Sequence, residues 1–92
     1  MATTFLDLID AALEGSMSVQ RFSSAIEHEW NFGDERASLS EAEKVPIQQL
    51  FDVVVYYSPF PDERARIPHY RSEEDVLAAA HLCRESLSAK VS

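Results

Sequence analysis

A single cysteine, Cys83, rules out an intrachain disulfide and fits a reducing compartment. Two glycines, Gly15 and Gly33, are too few for a loop that cradles phosphate, so glycine-cluster nucleotide sites are excluded. Basic side chains are scarce: eight Lys and Arg stand against sixteen Asp and Glu, a formal charge of −8. That balance repels phosphate backbones and anionic membrane surfaces and steers basic partners inward over long range. Direct nucleic-acid binding and membrane association are therefore not expected, although the same charge also serves plain solubility. No apolar stretch approaches the roughly 20 residues that span a bilayer. Residues 1–7 carry neither the basic start nor the apolar segment of an export signal. There is no internal repeat and no low-complexity segment. A soluble, cytoplasmic protein is expected, a monomer or weak dimer when free.

Hydrophobic residues make up 46% of the 92, enough for one domain, residues 1–92, with a core that needs neither disulfide nor metal. Four segments have helical spacing. Phe5, Leu8, Ile9 and Ala12 predict a helix over residues 4–14, with Thr3 or Thr4 as cap and Gly15 as stop. Ser18 caps a second over 19–32, with Val19, Phe22, Ile26 and Trp30 inward and Gly33 at its end. Ser40 and Glu43 have capping-box spacing and start a third over 41–57, with Ile47, Leu50, Phe51, Val54 and Tyr57 on its apolar face. Pro46 is expected to kink it. Val53 to Tyr57 has strand composition, but no second strand-like segment offers itself as a partner, so helix is preferred. Pro59, Pro61 and Pro68 mark a loop over 58–71. Ser72 and Asp75 open the last helix, 73–88, which turns Val76, Leu77, Ala80, Cys83 and Leu87 inward and frays near Lys90. The expected fold is all-α, a compact antiparallel four-helix bundle.

Chemistry-bearing residues are thinly spread. His28, His69, His81 and Cys83 are the strong transition-metal ligands, but His81 and Cys83 are two apart and point to different sides of a helix. Cys83 is expected to fill core space, with no base or orienting partner in sequence to activate it. Asp34-Glu35, Asp62-Glu63 and Glu73-Glu74-Asp75 do not have the ligand order of a calcium loop. The last three sit where a helix N-terminus favours negative charge. No catalytic residue, metal or cofactor is expected, and the protein is read as no enzyme.

The most informative segment is 50–64, where three valines and two tyrosines run into Pro59 and Pro61, followed by Asp62, Glu63 and Arg64. Tyr56 does not share the apolar face of its helix. It lies one turn after Asp52 and beside Val55, the composition of an interface anchor with a polar surround. A partly exposed tyrosine with no partner is the plainer alternative.

The chain resembles the colicin D-type immunity proteins, small bacterial proteins that bind the nuclease domain of a cognate colicin or contact-dependent toxin. The likeness runs in order through Phe5-Leu6-Asp7-Leu8-Ile9, Gly15-Ser16-Met17-Ser18, Phe22, Trp30 and Leu39-Ser40-Glu41. It continues through Leu50-Phe51 and Tyr57-Ser58-Pro59-Phe60-Pro61-Asp62-Glu63-Arg64, which is similar to the family's Tyr-x-Pro-Asp-Pro-x-x-Arg signature. The resemblance implies four helices, no enzymatic activity, and carboxylates that occupy a basic ribonuclease cleft in place of RNA phosphates. Phe60 stands where the signature has an acid, and Val55 and Ser58 are uncharged where relatives can carry one. The negative charge lies instead at Asp62 and Glu63, with Asp52 upstream. Either the toxin presents a more apolar surface or its cleft is engaged from a different angle.

The expected function is thus inhibition of a cognate bacteriocin or contact-dependent nuclease toxin, a basic protein that cleaves tRNA in the family's pattern. The expected toxin-binding residues are Asp52, Tyr56, Phe60, Asp62 and Glu63. The alternative is an acidic helical adaptor or anti-regulator of another basic protein. An acyl carrier protein is not expected, since Ser18 precedes Val19 and Glu85-Ser86-Leu87 falls late in the last helix, leaving no Asp-Ser-Leu attachment site, and an intact mass without a prosthetic group would close that option.

Overall fold

The structure, a computed structural model, describes residues 3–91, with side chains through Ser88. It is all-α. Among the described residues there are six helices: α1 (Thr3–Glu14), α2 (Val19–Phe32), α3 (Glu35–Ser38), α4 (Glu41–Val54), α5 (Pro61–Arg66) and α6 (Glu73–Val91). The four long helices occupy the segments whose apolar spacing predicts them. The expected count of four is corrected by two short helices in the connections. A single turn such as α3 buries no face and leaves no periodic trace.

Local chemistry accounts for most of the boundaries. Gly15 adopts φ +82°, which side chains other than glycine rarely take, and Ser16 and Gly15 donate to the carbonyls of Ala11 (3.0 Å) and Ala12 (3.2 Å) to close α1. Ser18 Oγ accepts from the Arg21 N–H at 3.2 Å to open α2. Ser40 and Glu43 form a reciprocal capping box on α4, at 3.2 and 3.0 Å. Ser72 and Asp75 do the same on α6. The Ser72 backbone N–H donated to the Asp75 carboxylate is the main cause of that group's lowered pKa. α4 runs unbroken through Pro46, which is buried, although the proline has no N–H to return to the Ala42 carbonyl.

α1 opens differently from expectation. Thr3 and Thr4 lie inside the helix, and neither provides the expected cap. The Glu35 carboxylate, reaching across from α3, accepts the Thr4 N–H at 3.0 Å on both oxygens and the Phe5 N–H at 3.5 Å. A cap supplied from 31 residues away is a tertiary contact, and it combines a charge-assisted bond with the positive end of the helix dipole. Glu35→Ala is expected to cost about 1–2 kcal/mol, seen in urea unfolding as a lower midpoint at an unchanged m-value. An unmoved midpoint would show that this cap adds nothing to stability.

The long helices pair in a ring, α1 on α2, α2 on α4, α4 on α6 and α6 on α1. Inside lie Phe5, Ile9, Phe22, Ile26, Ile47, Leu50, Val54, Val76 and Ala80, all essentially inaccessible. Aromatic contacts tie three of the helices. Trp30 of α2 meets Phe5 of α1 edge-on at 6.4 Å and Phe51 of α4 at 5.7 Å. The Arg36 guanidinium of α3 lies 4.5 Å from the Trp30 ring centre and donates to the Trp30 carbonyl at 3.3 Å, so α3 is bound to the same side chain. Arg84 donates to Asp10 at 2.9 Å, a half-exposed ion pair between α6 and α1. The radius of gyration is 12.9 Å, close to the roughly 12 Å expected of a compact chain this long.

Candidate functional site

The segment from the end of α4 to the start of α6 is organised around one buried residue, Ser58. α4 stops at Val54, three residues earlier than its apolar pattern predicts. Its last turn tightens, with Tyr56 and Tyr57 donating to the carbonyls of Val53 (3.1 Å) and Val54 (3.2 Å). Pro59 disfavours helical backbone at Ser58, so the chain leaves extended. The extended residues then find a partner. Arg71 donates its N–H to the Tyr56 carbonyl at 2.7 Å, and Ser58 donates to the Arg71 carbonyl at 3.0 Å, forming an isolated parallel bridge between Tyr57 and Arg71. The expectation that nothing pairs with the 53–57 segment is corrected by these two backbone bonds.

Ser58 also holds α5 in place. Its hydroxyl donates to Glu63 Oε1 at 2.7 Å and accepts the Phe60 N–H at 3.2 Å. Its carbonyl accepts from the Arg64 guanidinium at 2.7 Å. Within the stretch predicted as loop, Pro61 takes the first helical position, where its missing N–H costs nothing. Asp62 and Glu63 fall in the first turn of α5 and Arg64 and Arg66 in its last, each matching the helix dipole.

This scaffold presents the expected site residues on one continuous stretch of chain. Asp52 lies on α4 and is exposed. Tyr56, past the end of α4, is 48% exposed and faces the His69 ring at 6.2 Å. Phe60, the residue before α5, is 59% exposed, and Asp62 beside it is exposed. Glu63 differs from the others, being half-buried with one carboxylate oxygen taken by Ser58. Val55 and Ile67 are also exposed, so the stretch carries an apolar surface flanked by carboxylates. Sequence reasoning passed over the internal work of Ser58 and Arg64. The available signal was a serine followed by two prolines and an arginine six positions on.

Tyr57 behaves differently from its neighbour. Half-buried, it lines an open cleft with Pro59, Arg64, Ser72, Glu73 and Leu77. Burial raises its phenol pKa, the Glu73 carboxylate adds to the rise, and Arg64 opposes it.

The remaining candidates are dispersed. His81 pairs with Glu85 at 3.0 Å, His28 rests on Phe32 at 5.4 Å, and His69 faces Tyr56. Among the described residues, no three His, Cys, Asp or Glu side chains gather as a metal site, and no helix is long and apolar enough to cross a membrane. Cys83 is buried in the core, and burial pushes its thiol up to about 12. In native buffer near pH 8 it is expected to react with a disulfide reagent at least about 100-fold more slowly than in denaturant. Equal rates in the two would place the thiol in solvent.

No protein-family model, curated protein or solved structure matches this chain.

Proposed function

We propose that this chain is an immunity protein that binds and inhibits a cognate bacteriocin or contact-dependent nuclease toxin in the cytoplasm, without catalysis of its own. In this proposal the four long helices form an antiparallel bundle that serves as a rigid base for one docking surface. Asp52, Asp62 and Glu63 occupy a basic nuclease cleft in place of substrate phosphates, and Tyr56 and Phe60 anchor beside them. The supporting observation is the pairing of two half-exposed aromatics with free carboxylates on a rigidly tied stretch, in a chain of charge −8. Exposed aromatics ringed by polar groups are where interfaces concentrate their energy. Carboxylates facing Arg and Lys add charge-assisted bonds and a fast, steered encounter.

Glu63 suits a mixed role. One oxygen holds Ser58 while the other remains for a partner cation, so the carboxylate is fixed in direction before binding. Co-expression with the toxin domain encoded beside its gene tests the proposal. Survival of the cells and co-purification as an equimolar complex are expected, and unrelieved killing would refute it.

A further inference from the structure

α6 is apolar on more than the face it turns to the core. Val76, Ala80, Cys83 and Leu87 are buried, yet Leu82, on another side of the helix, is 63% exposed. It stands over a cleft of about 150 Å³ between α6 and α4, lined chiefly by Pro46, Leu50, Val53, Ala79, Leu82 and Cys83. A second hollow continues the cleft along α4 past Ala42 and Ser86. Not one residue lining the pair is charged, in a chain where 26% of residues are. Leu82 borders the first hollow and Val45, 53% exposed, the second. Ala79 and Ser86, two turns apart on α6, and Ala42 on α4 keep the floor low, so another backbone can approach closely.

Among the described residues, exposed acidic groups begin one row outward. Helical spacing places Glu41 and Asp52 along the α4 margin and Glu74 and Glu85 along the α6 margin, and all four are exposed. Lys44, the basic residue nearest the α4 margin, lies 4.0 Å from Glu41. On the other side His81 pairs with Glu85. From Ala42 to Val53 the trough extends for roughly 16 Å at 1.5 Å per residue, about three helical turns.

We infer that the α4/α6 trough is a second docking site, which takes a basic amphipathic helix of another protein. Apolar residues of that helix at i, i+3 or i+4 and i+7 fill the space between Val45 and Leu82, and its flanking Lys and Arg meet the two acidic margins. A second copy of this chain is the poorer occupant, because it would bring acidic margins against acidic margins. Asp52 borders both surfaces, but no residue lining the trough belongs to the toxin site, so the inference does not depend on the toxin reading.

Three synthetic 14-residue peptides test it, titrated into the full-length, isotope-labelled chain with amide shifts as readout. One carries a leucine stripe and lysines, the second the same stripe with glutamates, and the third lysines with serine in place of leucine. The leucine–lysine peptide is expected to shift the amides of Val45, Gln49, Ala79, Leu82 and Ser86, and the other two to bind at least tenfold more weakly. Leu82→Lys, at an exposed position, should weaken binding by at least tenfold, while Tyr56→Ala with Phe60→Ala should leave it unchanged. Equal binding of the serine–lysine peptide would reduce the site to bulk charge and overturn the inference. Shifts centred on residues 55–67, or the same trough shifts on concentrating the protein alone, would overturn it as well.

Discussion

Trp30→Ala is expected to lower the free energy of unfolding by about 3–5 kcal/mol and the melting temperature by at least about 12 °C. The indole joins Phe5 of α1, Phe51 of α4 and the Arg36 guanidinium of α3, so its loss opens a cavity that adjoins three other helices at once. Those neighbours belong to separate elements and cannot collapse together into the space, which puts the cost toward the upper end for an aromatic truncation. A domain of ordinary stability, about 5–15 kcal/mol, is left near its threshold. Trp30→Phe retains a ring against Phe5 and Phe51 and should lose less than half as much. Phe32→Ala, at a residue 76% exposed on the same helix, should change stability by no more than about 0.5 kcal/mol. Circular dichroism melts of the three variants decide the matter, and a loss at Trp30 no larger than that at Phe32 would remove the aromatic junction from the account.

The second large effect concerns binding. The combined change Asp52→Asn, Asp62→Asn and Glu63→Gln is expected to speed dissociation from the toxin by at least about 30-fold. That figure corresponds to the lower end of the roughly 2–5 kcal/mol lost when one partner of a buried charge pair is removed. Amides are used in place of alanine for a structural reason. Glu63 Oε1 receives the Ser58 hydroxyl, and a glutamine oxygen preserves that bond while removing the charge. Asp52 and Asp62 are exposed, so the melting temperature should stay within a few degrees of wild type. Loss of protection with the fold intact ties the effect to the carboxylates. Protection retained by the triple variant would move the docking surface elsewhere.

How far the residues alone disclose the molecule depends on how local the chemistry is. Ser18, Ser40 with Glu43, and Ser72 with Asp75 act on backbone three residues away, and each marks the helix start that its spacing predicts. The inward faces of the long helices follow from periodicity, down to Trp30 and Cys83. What escaped is non-local or too short to be periodic. The Glu35 cap on α1 spans 31 residues, and no pattern near Thr4 announces it. The early end of α4 and the Tyr57–Arg71 bridge are coupled, because the β-branched run at Val53–Val55 has strand character that is satisfied only once the 58–71 segment folds back. At the candidate site, the exposure of Tyr56 followed from its lying off the apolar face of α4. The half-burial of Glu63 did not, since it depends on Ser58 being carried into the interior by that same bridge.

The central claim is that the stretch from Asp52 to Glu63 fills a basic nuclease cleft, and an amide-exchange footprint of the toxin complex addresses it most directly. Protection is predicted over residues 52–67 of this chain together with the cutting residues of the toxin, with helices α1 and α2 unchanged. A stable complex in which 52–67 exchange as fast as in the free protein, while the toxin's cleft stays open, would contradict it.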